Sequence, residues 1–307
     1  MTEQVTVRLD AVSRWYGTVR AVDGVDLMLL RGQCVALVGH NGAGKSTLIK
    51  LLLGLTRPTA GSAEVLGADV TGRGFGAVRD AIGFLPESVV FPPAMTGAEV
   101  LAFYARLKRQ PVRRNAALLE RTGLAEAARR RVGTYSKGMR QRLGLAQALL
   151  GSPRLVLLDE PTSGLDPALR QDVYEIIGEL ARDGATVLLS SHALAEIEHR
   201  TDRVIVLDRG RKVADGTLAD LRRRSGSPAR IRVRLPEGVR LHPATFADVA
   251  DPRVLTDGAI EFRCPDAAKL DVVRQLLALS LPFADIDIVS PTLDDIFADV
   301  LRREAAE

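Results

Sequence analysis

The stretch GHNGAGKS, residues 39–46, decides the fold of this chain. It follows a continuous apolar run, CVALVG (34–39), which is typical of a strand buried on both faces, and it precedes STLIKLLLGL (46–55), which predicts a helix. The stretch matches the pattern G-x-x-x-x-G-K-[ST] in full, and its glycines let backbone N–H groups close around phosphate oxygens at a helix N-terminus. The spacing predicts a phosphate-binding loop made of Gly39, His40, Asn41, Gly42, Ala43, Gly44, Lys45, Ser46 and Thr47.

A second stretch, LVLLDE (155–160), supplies the chemistry that such a loop needs. In the loop, Lys45 is expected to reach the β- and γ-phosphates, and Ser46 to place its hydroxyl on Mg²⁺. At the end of the apolar run, Asp159 can hold Mg²⁺, usually through water, and Glu160 can polarise an attacking water. The two stretches together predict a nucleotide-hydrolysing site.

His192 follows a third apolar run, TVLLSS (186–191). A histidine at this position can hydrogen-bond the γ-phosphate or the attacking water, but a lone histidine is more often structural. The residues around it leave both interpretations open.

Apolar patterning along the rest of the chain predicts an α/β fold. Alternation at Val5, Val7 and Leu9 predicts a strand near the N-terminus, and buried-type strands are predicted at AIGFL (81–85) and RVIVLD (203–208). Helical stretches separate the later strands, which argues for a parallel sheet. Residues 88–152 carry long helical patterns and predict a helical insertion.

A domain boundary is predicted near RRRSGSPAR (222–230), where Gly, Ser and Pro follow a helix-like end. Beyond it, RIRVRL (230–235) and AIEFRC (259–264) predict strands. A helix at 268–279 and a strand at 285–289 complete a small α+β module. This module contains no catalytic motif, so a structural or interaction role is expected.

Composition excludes several classes of protein. The 307 residues are 46% hydrophobic and 26% charged, as in ordinary globular proteins. The sequence contains no run of 18 apolar residues, so no transmembrane helix is predicted. The N-terminus lacks a signal-peptide pattern, and two isolated cysteines, Cys34 and Cys264, favour a reducing, cytoplasmic setting.

The positive charge of the chain is concentrated in one segment. Net charge is +4, but Arg106–Arg142 holds twelve Lys or Arg and two acids. That segment could face anionic lipid or another acidic partner, or it could be a set of solvated helix faces.

The stretch TYSKGMRQRLGLAQAL (134–149) resembles the signature motif of ATP-binding-cassette (ABC) ATPases. SGLD (163–166) is similar to the D-loop of that family, with Asp166 at its end. His192 is similar to the switch histidine, and Tyr16 to the aromatic residue that stacks on adenine. The resemblance covers residues 1 to about 225, and in it Ser136, Lys137, Gly138 and Met139 stand where the family usually has Ser-Gly-Gly-Gln.

This resemblance implies a P-loop cassette over residues 1–225, with N-terminal antiparallel strands, a mostly parallel core sheet and the helical insertion, followed by an accessory domain over 226–307. It also implies ATP and Mg²⁺ as cofactors. The signature residues would cap the γ-phosphate bound by a second copy, so a homodimer is expected, together with a separate integral membrane permease. The expected location is the cytoplasmic face of the inner membrane, and no nucleic-acid partner is expected.

One residue departs from the family pattern. In GFLPES (83–88), Glu87 stands where the family normally has a glutamine that ligates Mg²⁺, and we expect Glu87 to keep this ligand role. The following VVFPPAM (89–95) either receives a permease helix or anchors the helical insertion to the core.

A narrower resemblance follows from residues 84–108. With Glu87 in place of glutamine, FLPESVVFPPAMTGAEVLAFYARLK is similar to the ATPase subunit of the transporter that serves nitrous oxide reductase maturation. The resemblance implies help in assembling a copper–sulfur centre, with a periplasmic protein acting through the permease. The chain itself shows no cluster of soft metal ligands.

Other functions compete with this hypothesis. A lipid- or drug-type exporter would use the same ATPase residues, because these contact ATP and permease rather than cargo. A soluble cassette acting on DNA or the ribosome would resemble tandem cassettes or cassettes split by a coiled coil, and neither pattern occurs here. A nucleotide-binding regulator without hydrolysis is disfavoured by Glu160.

Overall fold

The structure is a computed structural model that describes residues 4–192, 194–198, 200–236, 252–256, 258–279 and 281–304. The chain divides into two compact units, Met1–Asp215 and Gly216–Glu307. No helix among the described residues is both long and apolar enough to cross a bilayer.

An antiparallel sheet opens the first unit. Its long strands are β1 (Val5–Tyr16) and β2 (Val19–Leu30), and β4 (Ala60–Val65) and β5 (Ala68–Asp69) extend it in the order β2-β1-β4-β5. Val7 and Leu9 of β1 are buried, as the period-2 sequence pattern predicts, and Val5 is partly buried. The fold prediction of N-terminal antiparallel strands is therefore confirmed.

A six-stranded sheet forms the centre of this unit. Its members are β3 (Cys34–Val38), β6 (Ile82–Leu85), β7 (Leu155–Asp159), β8 (Thr186–Ser190), β9 (Arg203–Asp208) and β10 (Arg211–Gly216), in the order β10-β9-β3-β8-β7-β6. The pairs β3–β8, β3–β9, β6–β7 and β7–β8 are parallel, which confirms the predicted, mostly parallel sheet. Every residue of β3, β7 and β8 is buried, which explains their uninterrupted apolar runs.

The helices of the first unit fall into two groups. Those tied to the sheets are α1 (Lys45–Leu52), α2 (Phe75–Arg79), α6 (Pro167–Arg182) and α7 (Leu194–Ile197). Those of the helical insertion are α3 (Gly97–Leu107), α4 (Asn115–Arg121) and α5 (Lys137–Ala148), with short 3₁₀ turns at Val112–Arg114 and Val132–Thr134. Thr96 and Glu99 form a reciprocal capping box that begins α3.

The helical insertion has a hydrophobic core of its own, built from α3, α4, α5 and the segment that precedes them. Phe91 is buried in this core and meets Tyr104 edge to face at 6.0 Å between ring centroids, whereas Val90 is 85% exposed. Val89 and Met95 also pack against the core. Three residues of the apolar stretch 89–95 thus anchor the insertion. Its other members, Val90, Pro92, Pro93 and Ala94, are exposed.

The second unit is an antiparallel sheet with helices. It contains α8 (Leu218–Arg224), β11 (Ala229–Arg234), β12 (Pro252–Val254), β13 (Ile260–Cys264), α9 (Lys269–Ala278), β14 (Asp285–Val289) and α10 (Leu293–Glu304). The strand order is β12-β13-β11-β14. One face of the sheet and α9 enclose a small core that includes the fully buried Phe262. Residues 237–251 of the predicted accessory domain lie outside the described residues.

Candidate functional site

The loop from β3 to α1 requires glycine at its two motif positions. A Cβ atom on Gly39 would lie 2.5 Å from the carbonyl oxygen of Leu207, and one on Gly44 would lie 2.4 Å from that of Ala21. Gly44 also has a φ of +108°, which L residues rarely adopt. The loop is thus held tightly against the backbone of neighbouring segments, and only glycine fits at both points.

Lys45 begins α1 and folds back over this loop. Its Nζ donates hydrogen bonds to the carbonyl oxygens of Gly39 (2.6 Å) and His40 (3.2 Å). Burial lowers the pKa of Lys45, while the negative charges of Glu160, Asp159 and Glu87 raise it. Lys45 therefore offers a positive charge to a phosphate group, and the three carboxylates nearby favour a divalent cation.

Asp159, at the end of β7, connects the loop to the neighbouring strand β8. Its Oδ2 accepts a hydrogen bond from the Ser46 hydroxyl at 3.0 Å, and its Oδ1 accepts one from the Ser190 hydroxyl at 2.6 Å. Asp159 and Ser190 are the last residues of β7 and β8 and are paired in the parallel register. The carboxyl ends of both strands therefore meet at the loop, at the edge of the sheet where ligands of such folds bind.

Glu160 has a strained backbone and a fixed side chain. Its φ is +50°, uncommon for a residue other than glycine. Its N–H donates to Ser190 Oγ at 3.0 Å, and its carbonyl oxygen accepts from Gln141 Nε2 at 3.3 Å. Its carboxylate lies 2.7 Å from Nδ1 of His192. These contacts stabilise the strained backbone conformation of Glu160 and orient its carboxylate toward the cleft.

These residues line one cleft of about 980 Å³. Its walls include the loop Gly39–Thr47, Glu87 from the segment after β6, and Asp159, Glu160 and His192. His40 ties the loop to the end of β9, since its Nε2 lies 2.6 Å from Asp208 Oδ1. The structure therefore brings together the loop residues, the two acids at the end of β7, Glu87 and His192.

Tyr16 lies at the end of β1, outside the lining of this cleft. It pairs across the hairpin with Val19, which does line the cleft, and about half of its side chain is exposed. The guanidinium of Arg14 lies 4.5 Å from its ring centroid. Hydrogen bonds with Thr56 and Arg14 lower the pKa of the Tyr16 phenol. The ring is held at the cleft's outer margin with a cation against it.

The signature segment is also outside this cleft. Ser136 caps α5 by accepting a hydrogen bond from the Met139 N–H at 3.1 Å. Lys137 Nζ donates to Ser163 Oγ at 3.3 Å, and a Cβ on Gly138 would lie 2.9 Å from the Leu165 side chain. Asp166 in turn caps α6 by accepting from the Leu169 N–H at 3.0 Å. The signature residues and the D-loop therefore pack against each other, on two adjacent helix N-termini.

Two further residues of the site carry no sequence motif of their own. Ser190 bridges Asp159 and Glu160, and Gln141 holds the Glu160 carbonyl. Ser190 ends a buried strand parallel to the one that ends at Asp159, so strand order was the one signal that could have found it. Gln141 lies inside the signature helix, where its contact depends on tertiary packing.

The donor set of the cleft suits magnesium. No cluster of three or more His, Cys, Asp or Glu side chains able to hold a metal exists among the residues described. Magnesium in phosphoryl-transfer sites takes one or two carboxylates, with water and substrate phosphates as its other ligands. The Ser46 hydroxyl and the Asp159 carboxylate, 3.0 Å apart, are hard oxygen ligands of this kind.

Comparison with protein families and curated proteins gives a consistent result. The sequence profile described as "ABC transporter" matches residues 22–163. The daunorubicin resistance ATP-binding protein DrrA3 of Streptomyces coeruleorubidus is 38% identical over 301 residues, which cover 95% of this chain and 94% of that protein. The linearmycin resistance ATP-binding protein LnrL of Bacillus subtilis is 33% identical over 307 residues, covering 97% and 98%.

Solved structures share the fold over most of the chain. An ATP-binding subunit of an ABC transporter superposes with a TM-score of 0.67 at 34% identity, covering 71% of this chain and 92% of that chain. A dimeric ATP-binding cassette in a post-hydrolysis state, bound to ADP and Pi, superposes with a TM-score of 0.65 at 25% identity, covering 69% and 98%.

Proposed function

This chain belongs to the ABC transporter family as an ATP-hydrolysing subunit that uses ATP and Mg²⁺, and from that premise we propose that it powers the export of a drug- or lipid-like molecule through a separate membrane permease. The observation that carries the proposal is the extent of the similarity to resistance proteins. It runs over nearly the whole chain, including the second unit, in two relatives whose names refer to different antibiotics.

We propose a role in ATP binding for each of the predicted residues. We propose that Gly39–Thr47 wraps the phosphates, with Lys45 on the β- and γ-phosphates, and that Tyr16 stacks on adenine from the margin of the cleft. Ser46, Asp159 and Glu87 would hold Mg²⁺, which neutralises phosphate charge when bound. Asp159 and Ser46 are already in contact, so a bound cation would replace their mutual hydrogen bond.

Hydrolysis would depend on Glu160 and His192. The Glu160 carboxylate is 12% exposed and faces the cleft, where it can take a proton from an attacking water. His192 is 73% exposed and hydrogen-bonded to that carboxylate, so it can orient the water and the γ-phosphate together with Glu160. The backbone contacts from Ser190 and Gln141 keep Glu160 in its strained, productive conformation.

We propose that two copies complete two sites. Ser136, Lys137, Gly138 and Met139 lie outside the cleft of their own chain, at the N-terminus of α5. An exposed helix N-terminus favours an anion, so it can cap the γ-phosphate held by Lys45 of a second copy. Asp166, the D-loop residue that caps the adjacent helix α6, would take part in the same contact between the two copies. ATP would then close the homodimer, and hydrolysis would open it.

Membrane coupling is the remaining part of the proposal. The homodimer would lie at the cytoplasmic face of the cell's inner membrane, bound peripherally to the permease. The exposed Val90 follows Glu87 by three positions, so a permease segment on Val90 could sense the state of the cleft. We propose that residues 1–225 form the ATPase domain and that residues 226–307, which lie within the second unit, have an accessory role in this assembly.

A second candidate function is maturation of nitrous oxide reductase, with copper or sulfur as cargo and a periplasmic protein as further partner. Its specific support is Glu87 and its neighbours in residues 84–108. The relatives reported above lend it no support, because their names refer to antibiotic resistance. Export of a drug- or lipid-like molecule therefore comes first.

One strain set tests both candidates. The gene is deleted in its host and complemented with wild type, with Glu160→Gln, or with the matched surface variant Glu126→Gln. If the chain powers export, deletion lowers the minimal inhibitory concentration of daunorubicin or linearmycin, and wild type and Glu126→Gln restore it whereas Glu160→Gln does not. Loss of the copper–sulfur centre of nitrous oxide reductase, with unchanged drug sensitivity, would replace export by maturation. Unchanged phenotypes in both assays would overturn maturation and the export of these two drugs.

A further inference from the structure

Arg209 lies in the two-residue turn between β9 and β10 and lines the cleft that contains the phosphate-binding loop. Its φ is +44°, and that of Gly210, the second residue of the turn, is +84°. Two positive φ values in a two-residue hairpin match a type I′ turn, whose first position favours asparagine, aspartate or glycine. A long side chain at this position is strained, so the turn itself does not explain the arginine.

The turn is fixed against the phosphate-binding loop on both sides of Arg209. Before it, Asp208 Oδ1 lies 2.6 Å from Nε2 of His40. After it, the Gly210 N–H donates a hydrogen bond to the carbonyl oxygen of Ala43 at 3.0 Å. His40 and Ala43 both belong to the loop, so the backbone of Arg209 has a set position relative to the place where phosphates would bind.

The Arg209 side chain is only weakly engaged by the protein. It is 79% exposed, and its one ion contact among the described residues is a distance of 3.9 Å from Nε to Asp208 Oδ2. An exposed contact of this length contributes little. Arg20 also lines the cleft, but it lies 3.4 Å from Asp23 and its guanidinium is 5.3 Å from the Trp15 ring centroid. Arg209 is therefore the more available of these two cations for a ligand.

Strand order places Arg209 away from the hydrolytic residues. In the core sheet, β9 is on one side of β3, and β8 and β7 are on the other. Glu160 and His192 follow β7 and β8, whereas Arg209 follows β9. The loop that follows β3 therefore separates Arg209 from the pair that would act on the γ-phosphate. A cation on this side suits binding of the nucleotide rather than the bond-breaking step.

We infer that Arg209 is a nucleotide-binding residue whose guanidinium holds a phosphate that remains in ADP. The guanidinium presents its N–H donors in a planar fork that matches phosphate oxygens. This role accounts for a strained arginine in a turn that asparagine would fit better, since asparagine has neither the reach nor the charge. The inference rests on the proposed binding of nucleotide in this cleft.

Replacing Arg209 by asparagine separates binding from stability. Asparagine relieves the turn, so the Tm of thermal unfolding should equal or exceed that of wild type. The affinity for MgADP, measured by isothermal titration calorimetry on the full chain, should fall about tenfold. Arg209→Lys keeps the charge without the fork and should give a smaller loss. In ATPase assays, the loss should fall on KM more than on kcat.

Arg109→Asn is the matched control. Arg109 is also an exposed arginine with a positive φ, +53°, but it lies just after the end of α3 and does not line the cleft. The substitution removes the same charge and relieves the same kind of backbone strain. The Tm should again equal or exceed that of wild type, and the affinity for MgADP should stay within about twofold of the wild-type value.

Lys45→Met shows whether a failure concerns Arg209 or the cleft as a whole. If Lys45→Met weakens MgADP binding and Arg209→Asn does not, the inference about Arg209 is wrong and the proposed nucleotide cleft stands. If neither changes binding, the proposed cleft is wrong and the inference falls with it. Equal weakening by Arg209→Asn and Arg109→Asn, or a lowered Tm in Arg209→Asn, would also overturn the inference, because net charge or the fold would then explain the loss.

Discussion

Nδ1 of His192 lies 2.7 Å from Oε2 of Glu160, across the end of the core sheet. The histidine is mostly exposed and the carboxylate mostly buried, so the imidazole covers the acid on its solvent side. The Glu160 backbone is fixed by Ser190 and Gln141. The carboxylate is therefore paired with an exposed histidine that also lines the cleft, and catalysis should depend on the pair as a unit.

Replacing Glu160 by glutamine should separate ATP binding from hydrolysis. The amide keeps the shape and the hydrogen bond with His192 but cannot accept a proton, so kcat should fall about 10²–10⁴-fold. ATP should still bind, and the protein should elute as a dimer in size-exclusion chromatography with MgATP. Phosphate-release kinetics near the wild-type rate would remove Glu160 from the role of base. Glu126→Gln, an exposed acid of the insertion, is the control.

The contact between Glu160 and His192 predicts non-additive kinetics. His192→Ala should lower kcat about 10²-fold or more, because the carboxylate loses the group that orients it. In the Glu160→Gln background, the same change should cost about threefold or less, because residues that act as one unit do not contribute independently. The double-mutant cycle is measured by steady-state ATPase assays. Fully additive losses would mean that the two side chains act separately.

Ser190 should affect both stability and catalysis. Its hydroxyl donates to Asp159 and accepts from the Glu160 N–H, and it is fully buried, so Ser190→Ala leaves two buried polar groups unpaired. We expect a loss of about 1–3 kcal/mol in free energy of unfolding and a fall in kcat as the Glu160 backbone relaxes.

A matched control for Ser190 lies at the other end of the same strand. Thr186 is also fully buried, and its hydroxyl bonds Thr6 (2.8 Å) and the Leu30 carbonyl (2.9 Å), far from the cleft. Thr186→Val should lower stability by a similar amount in urea denaturation and leave kcat unchanged. If both variants lose activity equally, Ser190 acts through stability alone.

The sequence predicted the parts of this molecule that depend on local pattern. The buried strands, the glycine loop and the two acids at the end of β7 follow from apolar runs and from motif spacing. Ser190 and Gln141 did not follow, because their contacts depend on which strands and helices become neighbours. The same limit applies to VVFPPAM, in which Phe91 is buried and Val90 exposed although both are apolar.

The identity of the cargo was beyond the sequence for a different physical reason. Every predicted site residue is expected to contact nucleotide, magnesium or a protein partner, and none is expected to contact the transported molecule. Residues 84–108 suggested copper-centre maturation through Glu87, but similarity over the full chain connects the protein with antibiotic-resistance relatives. A single substitution beside the cleft carries less information about cargo than similarity along the whole chain.

Asp215 should make stability depend on pH at the edge strand β10. Burial raises the pKa of Asp215, but hydrogen bonds from Arg203 and Lys212 outweigh burial and hold the pKa below its ordinary value. A depressed folded-state pKa means that the carboxylate stabilises the fold above the unfolded pKa of about 4, and this contribution is lost as pH falls through the folded pKa.

The variant Asp215→Asn tests this dependence. It should cost about 1–3 kcal/mol in free energy of unfolding at pH 7, and the difference from wild type should shrink as pH is lowered below about 4. Urea denaturation at pH 7, 5 and 3.5 measures it, with the exposed Asp172→Asn as control. A difference that stays constant across this pH range would mean that the ion pairs with Arg203 and Lys212 do not set the stability.

Glu87 should be more sensitive to loss of its oxygen ligand than to loss of its charge. It lines the cleft, and its negative charge acts on Lys45 together with the charges of Asp159 and Glu160. Glu87→Gln keeps a carbonyl oxygen for Mg²⁺ and removes one negative charge near the phosphates, so MgATP affinity should stay equal or rise by up to about tenfold. Glu87→Ala removes the ligand, so the Mg²⁺ concentration for half-maximal ATPase activity should rise severalfold.

Titrating Mg²⁺ at saturating ATP separates the two variants, with the adjacent exposed Ser88→Ala as control. Equal Mg²⁺ dependence in wild type, Glu87→Gln and Glu87→Ala would show that Glu87 contributes neither ligand nor charge to the nucleotide site.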